Sequence, residues 1–398
     1  MSRPAKLATD RSEHGVGSTP APIRIVPVEG RRMLEAFIRL PYRLYHDRPN
    51  YVAPLLMERR DSLRFDRNAF FQHAEAQYWL AYRDGRPVGR VSAQIDRLYL
   101  DKYRDATGHF GMLDGEDDPA VFRALLTTAE DWLRARGMER ALGPFNLSIN
   151  QECGLLVDGY DAPAMIMMGF AEPYAARRVE ELGYRKAKDL IAYDYDVRST
   201  PPIRGQALLE RNSDAHRVRV RAVDMSRYQA ELAVIMDIFN DAWSENWGSV
   251  PFTEAEITHM ADGMRPLIRP DMIWIAEVDD TPACMVVCLP NLYEMIADLK
   301  GRLLPFGWAK LLWRLKRKRT RTGRVLLMGI RTAYRRTLLG SALILMVLES
   351  LRQGVAKEGL ETIELSWVLE DNLPMRRVIE SIGGTATKTY RIYEKSLV

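Results

Sequence analysis

Several things are scarce in this chain, and each shortage closes off a class of protein. Three cysteines, Cys153, Cys284 and Cys288, in 398 residues cannot make a disulfide framework, so a reducing, cytosolic setting is the simplest expectation. Cys284 and Cys288 lie four apart with no histidine beside them, and the six histidines, among them His46, His73 and His216, are scattered. No metal site is expected. The longest apolar run, "LLGSALILMVLESL", is interrupted by Ser341 and Glu349 and reads as too short to cross a bilayer. Neither sign of charge dominates: 57 basic against 53 acidic residues leave a net charge of +4, which gives no reason to expect a nucleic-acid binder. Residues 1–21 are polar and rich in Pro, Gly and Ser without the apolar core of a signal peptide; they read as a disordered tail. The expected protein is soluble or held at a membrane surface.

What remains is globular, with 47% apolar and 28% charged residues and enough length for two ordinary domains. Charge is concentrated in one place. From Lys310 to Arg324, "KLLWRLKRKRTRTGR" carries eight Lys/Arg and no acid. Such a run is often a solvated face. The interleaved Leu311, Leu312, Trp313 and Leu315, after "GRLLPFGWA", instead suggest a basic amphipathic segment lying on anionic lipid or docking an acidic partner such as a carrier protein.

The chain repeats itself. "YWLAYRDGRPVG" from Tyr78 matches "IWIAEVDDTPAC" from Ile273; each is a strand, an Asp-Gly or Asp-Asp turn and a second strand, which is a β-hairpin. "GMERALGPFNLSIN" from Gly137 matches "GLETIELSWVLEDN" from Gly359, and "VEELGYRKAKDLIAY" from Val179 matches "IESIGGTATKTYRIY" from Ile379. The last pair reads as a helix, a glycine stop and a final strand pair. The offsets between copies change from 195 to 222 to 200. The second half therefore carries an insertion over about 291–324, and the first carries "QECGLLVDGYDAPAMIMMGFAE" after Asn150. Domains are expected at 22–200 and 215–398, each an α/β (α+β) unit with a mixed, mostly antiparallel central sheet flanked by helices.

The stretch "IRTAYRRTLLGSAL", from Ile330, links an apolar strand to an apolar helix through a polar turn with a late glycine. Helix N-terminal N–H groups and the helix dipole attract anions, and glycine lets a pyrophosphate approach the backbone. The first half has Glu116, Asp117 and Asp118 at the equivalent turn; acids cap a helix but repel phosphate. Only the second half is expected to hold a phosphorylated donor.

The element order, with an Arg, two residues, a small residue, one residue and Gly, resembles the GNAT acyltransferase superfamily, whose strand-turn-helix motif cradles the pyrophosphate of coenzyme A. Arg335, Leu338 and Gly340 fall on that pattern, with Leu338 where the family usually has glycine. The tandem arrangement, with "LPYRLYHDRPNYVAPLLMERRDSL", "GPFNLSINQECGLLVDGYD" and the late motif, looks like the bacterial GNAT group that includes ceramide synthase. The resemblance implies an N-acyltransferase joining a fatty acyl group, from acyl-CoA or an acyl carrier protein, to the amine of a sphingoid base such as 3-ketosphinganine or sphinganine. It implies no permanently bound cofactor and a cytoplasmic protein peripheral to the inner membrane. It also implies a donor site of Met328, Gly329, Ile330, Arg335, Arg336, Thr337, Leu339, Gly340, Ser341 and Asn372.

The chemistry needs a neutral amine, an oxyanion site, for which backbone N–H around Met328 to Ile330 is suited, and a base. Strand alternation on "TIELSWV" places Ile363, Leu365 and Trp367 on one face and Glu364 on the other, making Glu364 the first candidate base. Glu152 and Cys153 of "NQECG" are the next, Cys153 as a nucleophile or else a small core residue. Trp308, Trp313, Lys316 and Arg317 are the candidates for lipid contact and access, and "APAMIMMGF" is a candidate cavity wall or core filling. The competing readings are a tandem-GNAT aminoacyl or peptidyl transferase, and a non-catalytic regulator using the basic run on nucleic acid.

Overall fold

The computed structural model describes residues 21–199, 201–203, 215–317 and 320–398. The stretch read as a tail lies, except for Ala21, outside them, as do Lys318 and Arg319 of the basic run. The first half runs β1 (Arg24–Pro27), α1 (Gly30–Leu44), α2 (Leu56–Ser62), β2 (Ala74–Arg83), β3 (Arg86–Asp96), α3 (Arg97–Tyr103), β4 (Thr107–Gly115) and α4 (Pro119–Arg134). It continues with β5 (Arg140–Gly143), β6 (Phe145–Asn146), β7 (Glu152–Cys153), β8 (Leu155–Asp158), α5 (Pro173–Glu180) and β9 (Arg185–Asp196). The second half runs β10 (Val218–Ala222), α6 (Tyr228–Trp243), α7 (Glu254–Met264), β11 (Ile273–Val278), β12 (Thr281–Pro290), α8 (Leu292–Ile296) and α9 (Gly307–Lys316). It ends with β13 (Thr322–Ile330), α10 (Leu338–Lys357), β14 (Thr362–Leu369), α11 (Leu373–Ser381) and β15 (Thr385–Ser396).

Both expected hairpins are present. Asp84 and Gly85 turn at φ 50 and 73, and Asp279 and Asp280 at φ 48 and 60, the left-handed pair that matches the twist of a two-residue hairpin. Thirteen strands join into one continuous sheet in the order β1-β2-β3-β4-β5-β15-β9-β14-β13-β12-β11-β10, with β8 added beside β15, while β6 and β7 pair separately.

The centre of that sheet differs from the reading of a final strand pair in each half. Each half ends in one 12-residue strand, β9 or β15, and each donates it across the middle. β9 pairs antiparallel with β14, Glu364 opposite Asp194; β15 pairs with β5, Tyr393 opposite Gly143; and the two donated strands pair with each other. Unpaired strand edges are costly, so this exchange makes each half's sheet depend on the other's chain.

The second half opens a wedge. β13 and β14 are parallel and paired from Thr322↔Thr362 to Val325↔Leu365, while β13 runs on to Ile330 beside β12. Val287 pairs with Leu327 and Cys288 with Val325, so Leu326 is the extra residue of a β-bulge, which bends the strand. From Leu326 onward the β13 edge facing β14 has no strand partner among the described residues. In the first half, β4 and β5 part in the same way after His109↔Leu142, but the chain fills the gap itself. Met112 N donates to Asn146 Oδ1 at 2.7 Å and Gln94 Nε2 to the Phe145 carbonyl at 2.7 Å, and a Cβ on Gly111 would run into that carbonyl.

α10 is long and apolar enough by length and composition to cross a membrane, longer than the interrupted run predicted. Here its face of Leu343, Val347, Leu351 and Val355, all fully buried, packs into the core of the second half.

Candidate active site

An apolar cavity opens on the wedge and runs beneath α6 and α7. Its floor crosses the sheet from Trp367 on β14 through Leu326 and Leu327 on β13, Val287 and Leu289 on β12, and Ile273 on β11, to Val223 just past β10. Four interstrand steps of about 4.8 Å make a path of roughly 19 Å, suited to a long hydrocarbon chain. The roof is Leu232, Ile235, Met236 and Phe239 of α6 and Ile257, Met260 and Met264 of α7. At the wedge end the first half closes the cavity with Ile149, Asn150, Gln151 and Met167. Glu231, a carboxylate on the wall, is engaged by Arg221 at 2.8 Å.

The root of the wedge is polar and buried. Arg324 Nε donates to Ser366 Oγ at 2.8 Å and its Nη1 to the Ile166 carbonyl at 2.7 Å. Ser366 Oγ donates to Glu364 Oε1 at 2.6 Å, and Lys388 Nζ to Glu364 Oε2 at 2.9 Å. Burial pulls the Arg324 guanidinium below the usual arginine range, against the opposing pull of Glu364.

Two sequence expectations need correction here. Arg324 was taken with the exposed basic run, but Thr322, Gly323 and Arg324 belong to β13, and Arg324 is 4% exposed. The alternation expected along "TIELSWV" also breaks: β14 slips register against β9 between Leu365 and Val368. Ile363 and Leu365 stay in the second-half core, while Trp367 lines the cavity. Glu364 lies sealed behind Ser366 and Lys388, with no exposed surface.

In the turn before α10, the Thr337 side chain caps the helix, accepting from Gly340 N at 2.9 Å. Gly340 is required by its own turn, since a Cβ there would run into the Tyr334 carbonyl. Arg335 reaches the Ala242 carbonyl and Glu245, tying the turn to the end of α6. Arg336 is exposed with φ 60. Leu338 is exposed, Leu339 is half-buried, and Ser341 donates to the Thr337 carbonyl at 3.2 Å. Met328, Gly329 and Ile330 lie on the stretch of β13 that β14 leaves unpaired. Asn372 caps α11, accepting from Met375 N at 3.3 Å.

Glu152 and Cys153 belong to the first half but lie near enough to the root of the wedge for Arg324 to act on both electrostatically. Glu152 is held by Arg59 and by Asn146 Nδ2 at 3.0 Å, beside a smaller cavity walled by Tyr42, Tyr51, Phe170 and Tyr293. The Cys153 thiol is buried, and burial pushes it up to about 12, so it carries almost no thiolate near neutrality.

No protein-family model matches the chain. It is 49% identical over 381 residues, 96% of this chain and 99% of the other, to the bacterial ceramide synthase of Caulobacter vibrioides. The chain belongs to the bacterial ceramide synthase family. Protein YghO of Escherichia coli is 44% identical over 92% of this chain and 93% of its own. Among solved structures, a tandem GNAT protein from the clavulanic acid biosynthesis pathway aligns over 94% of this chain and 99% of its own, with TM-score 0.55 and 12% identity. A GCN5-related N-acetyltransferase from Sphaerobacter thermophilus aligns over 95% of this chain and 97% of its own, with TM-score 0.53 and 15% identity. The fold of this ceramide synthase family member is thus the tandem GNAT fold.

In this family member the second-half insertion packs on the first half. Leu311 and Leu315 of α9 face the first-half core. Gly301, at φ 76, lies where a Cβ would press on the Tyr42 ring, and its carbonyl accepts from Leu56 N at 2.9 Å. Arg314 holds α9 down through the Met295 carbonyl and Asp298, both at 2.5 Å. The opposite side is apolar and open: Leu304 is 80% exposed and Phe306 77%, with Trp308, Leu312 and Trp313 also exposed. Lys316 and Arg317 stand exposed at the end of α9, Arg317 over the Trp313 ring at 5.6 Å.

The sequence reading missed Arg324, Ser366 and Lys388, and the contribution of Asn150 and Gln151 to the second-half cavity. One signal was available for Arg324: it immediately precedes "VLLMGI", so it sits inside the strand and not in the solvated run.

Proposed function

We propose that this protein transfers a fatty acyl group from acyl-CoA to the amine of a sphingoid base, making an N-acyl long-chain base. The observation that carries this reading is the apolar cavity that opens where β13 and β14 part. A pantetheine arm laid along the free edge of Met328 to Ile330 would extend the sheet, delivering its thioester to the mouth of a channel about one long chain in length. The 49% identity to bacterial ceramide synthase supports the same substrate pair.

The amine nitrogen attacks the thioester carbonyl carbon, and the oxygen takes negative charge beside the β13 backbone at Leu326 and Leu327. Preorganised backbone donors in a site that excludes water suit that charge. The C–S bond then breaks, and the departing thiolate receives the proton that the amine gives up. A thiolate leaves readily at a pKa of about 8.5, so this route needs no strong acid and no acyl-enzyme. The buried Cys153 thiol is unsuited to forming one. Glu364 acts through Ser366 and Arg324, holding the root of the wedge. The turn at Arg336 to Gly340 receives the phosphates of the donor, and a carrier protein presenting only phosphopantetheine fits the same edge.

The exposed Leu304, Phe306, Trp308, Leu312 and Trp313, beside Lys316 and Arg317, favour a membrane surface as the source of both lipids over nucleic acid as a partner, since a nucleic-acid face would not be this apolar. The protein then works in the cytoplasm against the inner membrane.

The test is incubation of the purified protein with fatty acyl-CoA or acyl carrier protein and a sphingoid base, read by mass spectrometry for the amide. An amide whose mass tracks the acyl chain is expected. No amide from any donor and base combination overturns the proposal.

A further inference from the structure

The cavity is mostly apolar, with Glu231 on its wall taken up by Arg221, and it is polar again at the wedge, where that polarity has no role in holding a hydrocarbon. Arg324 is the main feature. A guanidinium carries five N–H groups. Three of those on Arg324 are used by Ser366 Oγ, the Ile166 carbonyl and the Ser366 carbonyl, the last at 3.3 Å. Among the described residues, one N–H on each terminal nitrogen is left over, on a side chain that lines the cavity and is otherwise sealed from solvent. Asn150, lining the same cavity, donates its amide N–H to the Val250 carbonyl at 2.9 Å and so keeps its oxygen as an acceptor, and Gln151 lines that cavity too. Both come from the first half. The wedge end of the second-half cavity is thus a composite of charged donor and amide groups from both copies of the fold.

Buried donors without partners are unfavourable. A plain alkylamine reaching the thioester would leave the spare Arg324 N–H groups unmatched. An amine with oxygen on a neighbouring carbon would satisfy them. We propose that Arg324, with Asn150 and Gln151, reads a hydroxyl or carbonyl oxygen next to the acceptor's amine, and that this makes the enzyme select vicinal amino alcohols and amino ketones over simple long-chain amines. The network behind it fits this role: Ser366, fixed by Glu364, which is fixed by Lys388, holds the guanidinium plane in one orientation. Arg324 touches the acceptor, while Glu364 and Lys388 are positioning residues.

The inference rests on the N-acyltransferase reading, and the experiment separates the two. The full-length protein is given one fatty acyl-CoA and three acceptors of equal chain length: a 2-amino-3-ketone, a 2-amino-1,3-diol and a plain 1-alkylamine. The wild type is expected to favour an oxygenated acceptor by at least tenfold in kcat/KM, because a site built to hydrogen-bond a substrate oxygen rejects the analogue without it far more strongly than an apolar pocket rejects a missing methylene. Arg324→Met is expected to lower kcat/KM on all three acceptors, since the clamp to Ser366 goes with it, but to lower it most on the oxygenated two so that their preference collapses, and Arg324→Lys to keep part of that preference. Equal loss on all three acceptors marks a merely structural role and overturns the inference, as does a wild type with no preference. If Arg324→Met does not fold, the acceptor ratio in Arg324→Lys decides: an unchanged ratio overturns it and a reduced one supports it. No amide from any of the three amines instead overturns the N-acyltransferase reading itself.

Discussion

Arg324 on β13 and Ser366 on β14 are joined at the root of the wedge, with Nε donating to Oγ at 2.8 Å and Nη2 reaching the Ser366 carbonyl at 3.3 Å. The two strands separate just beyond this clamp. A bond at the vertex keeps the gap from closing by continued pairing and from opening further, so the width available to a substrate arm depends on a buried polar contact.

That contact is backed by the Glu364–Lys388 pair, exposed by 0% and 3%. Lys388→Met leaves a buried carboxylate without its cation, and breaking one side of such a pair costs about 3–5 kcal/mol. Urea unfolding of this variant should show a loss of that size. The double variant Glu364→Leu with Lys388→Met should lose less than the sum of the two single changes, because the energy of their pairing is counted in both. A loss equal to the sum of the two would show that they do not act as a pair.

His73 joins the first half to the cavity roof. Its Nδ1 is 3.0 Å from Asp96 on β3 and its Nε2 is 3.3 Å from Glu256 on α7, and Glu256 also closes the capping box of that helix with Thr253. Burial pulls the imidazole down, but the hydrogen bond to Asp96 and the nearby charge of both carboxylates overcome it and raise its pKa to about 9. A group raised in the folded state stabilises fully below its unfolded value, about 6.5, and that contribution is lost as pH climbs through about 9. The melting temperature should therefore decline between these limits, and His73→Gln should flatten the slope. An unchanged slope in the variant would assign the decline to other groups.

Gly340 has no room for a side chain against the Tyr334 carbonyl. Gly340→Ala must push the turn off the start of α10, at a cost of about 1–3 kcal/mol, and should disturb the donor end of the wedge. Calorimetry with coenzyme A should show weaker binding together with a lower melting temperature. Unchanged binding would remove this turn from the donor site.

The apolar side of the second-half insertion should seek lipid. Flotation with vesicles containing anionic phospholipid should carry the protein upward, less so at high salt. Lys316→Gln with Arg317→Gln should remove about 2 kcal/mol of attraction, at about 1 kcal/mol per basic residue near the surface. Trp308→Ser with Trp313→Ser should weaken binding at any salt. Retention on neutral and anionic vesicles alike, insensitive to all four changes, would exclude this face.

Much of this protein was already decided along the chain. The hairpins at Asp84–Gly85 and Asp279–Asp280, the strand-turn-helix at Ile330 to Leu338 and the acidic counterpart at Glu116 to Asp118 could be placed from period, turn residues and the internal repeat. These are local patterns, governed by interactions within a few residues. Three things were decided only in three dimensions: the exchange of β9 and β15 between halves, the burial of Arg324 at the end of a basic run, and the closing of the second-half cavity by Asn150 and Gln151. In each, the partner is distant in sequence. Equal apolar strands carry no local mark of which edge they will join, and a charge is buried or solvated according to whether Ser366 and the Ile166 carbonyl arrive to hold it.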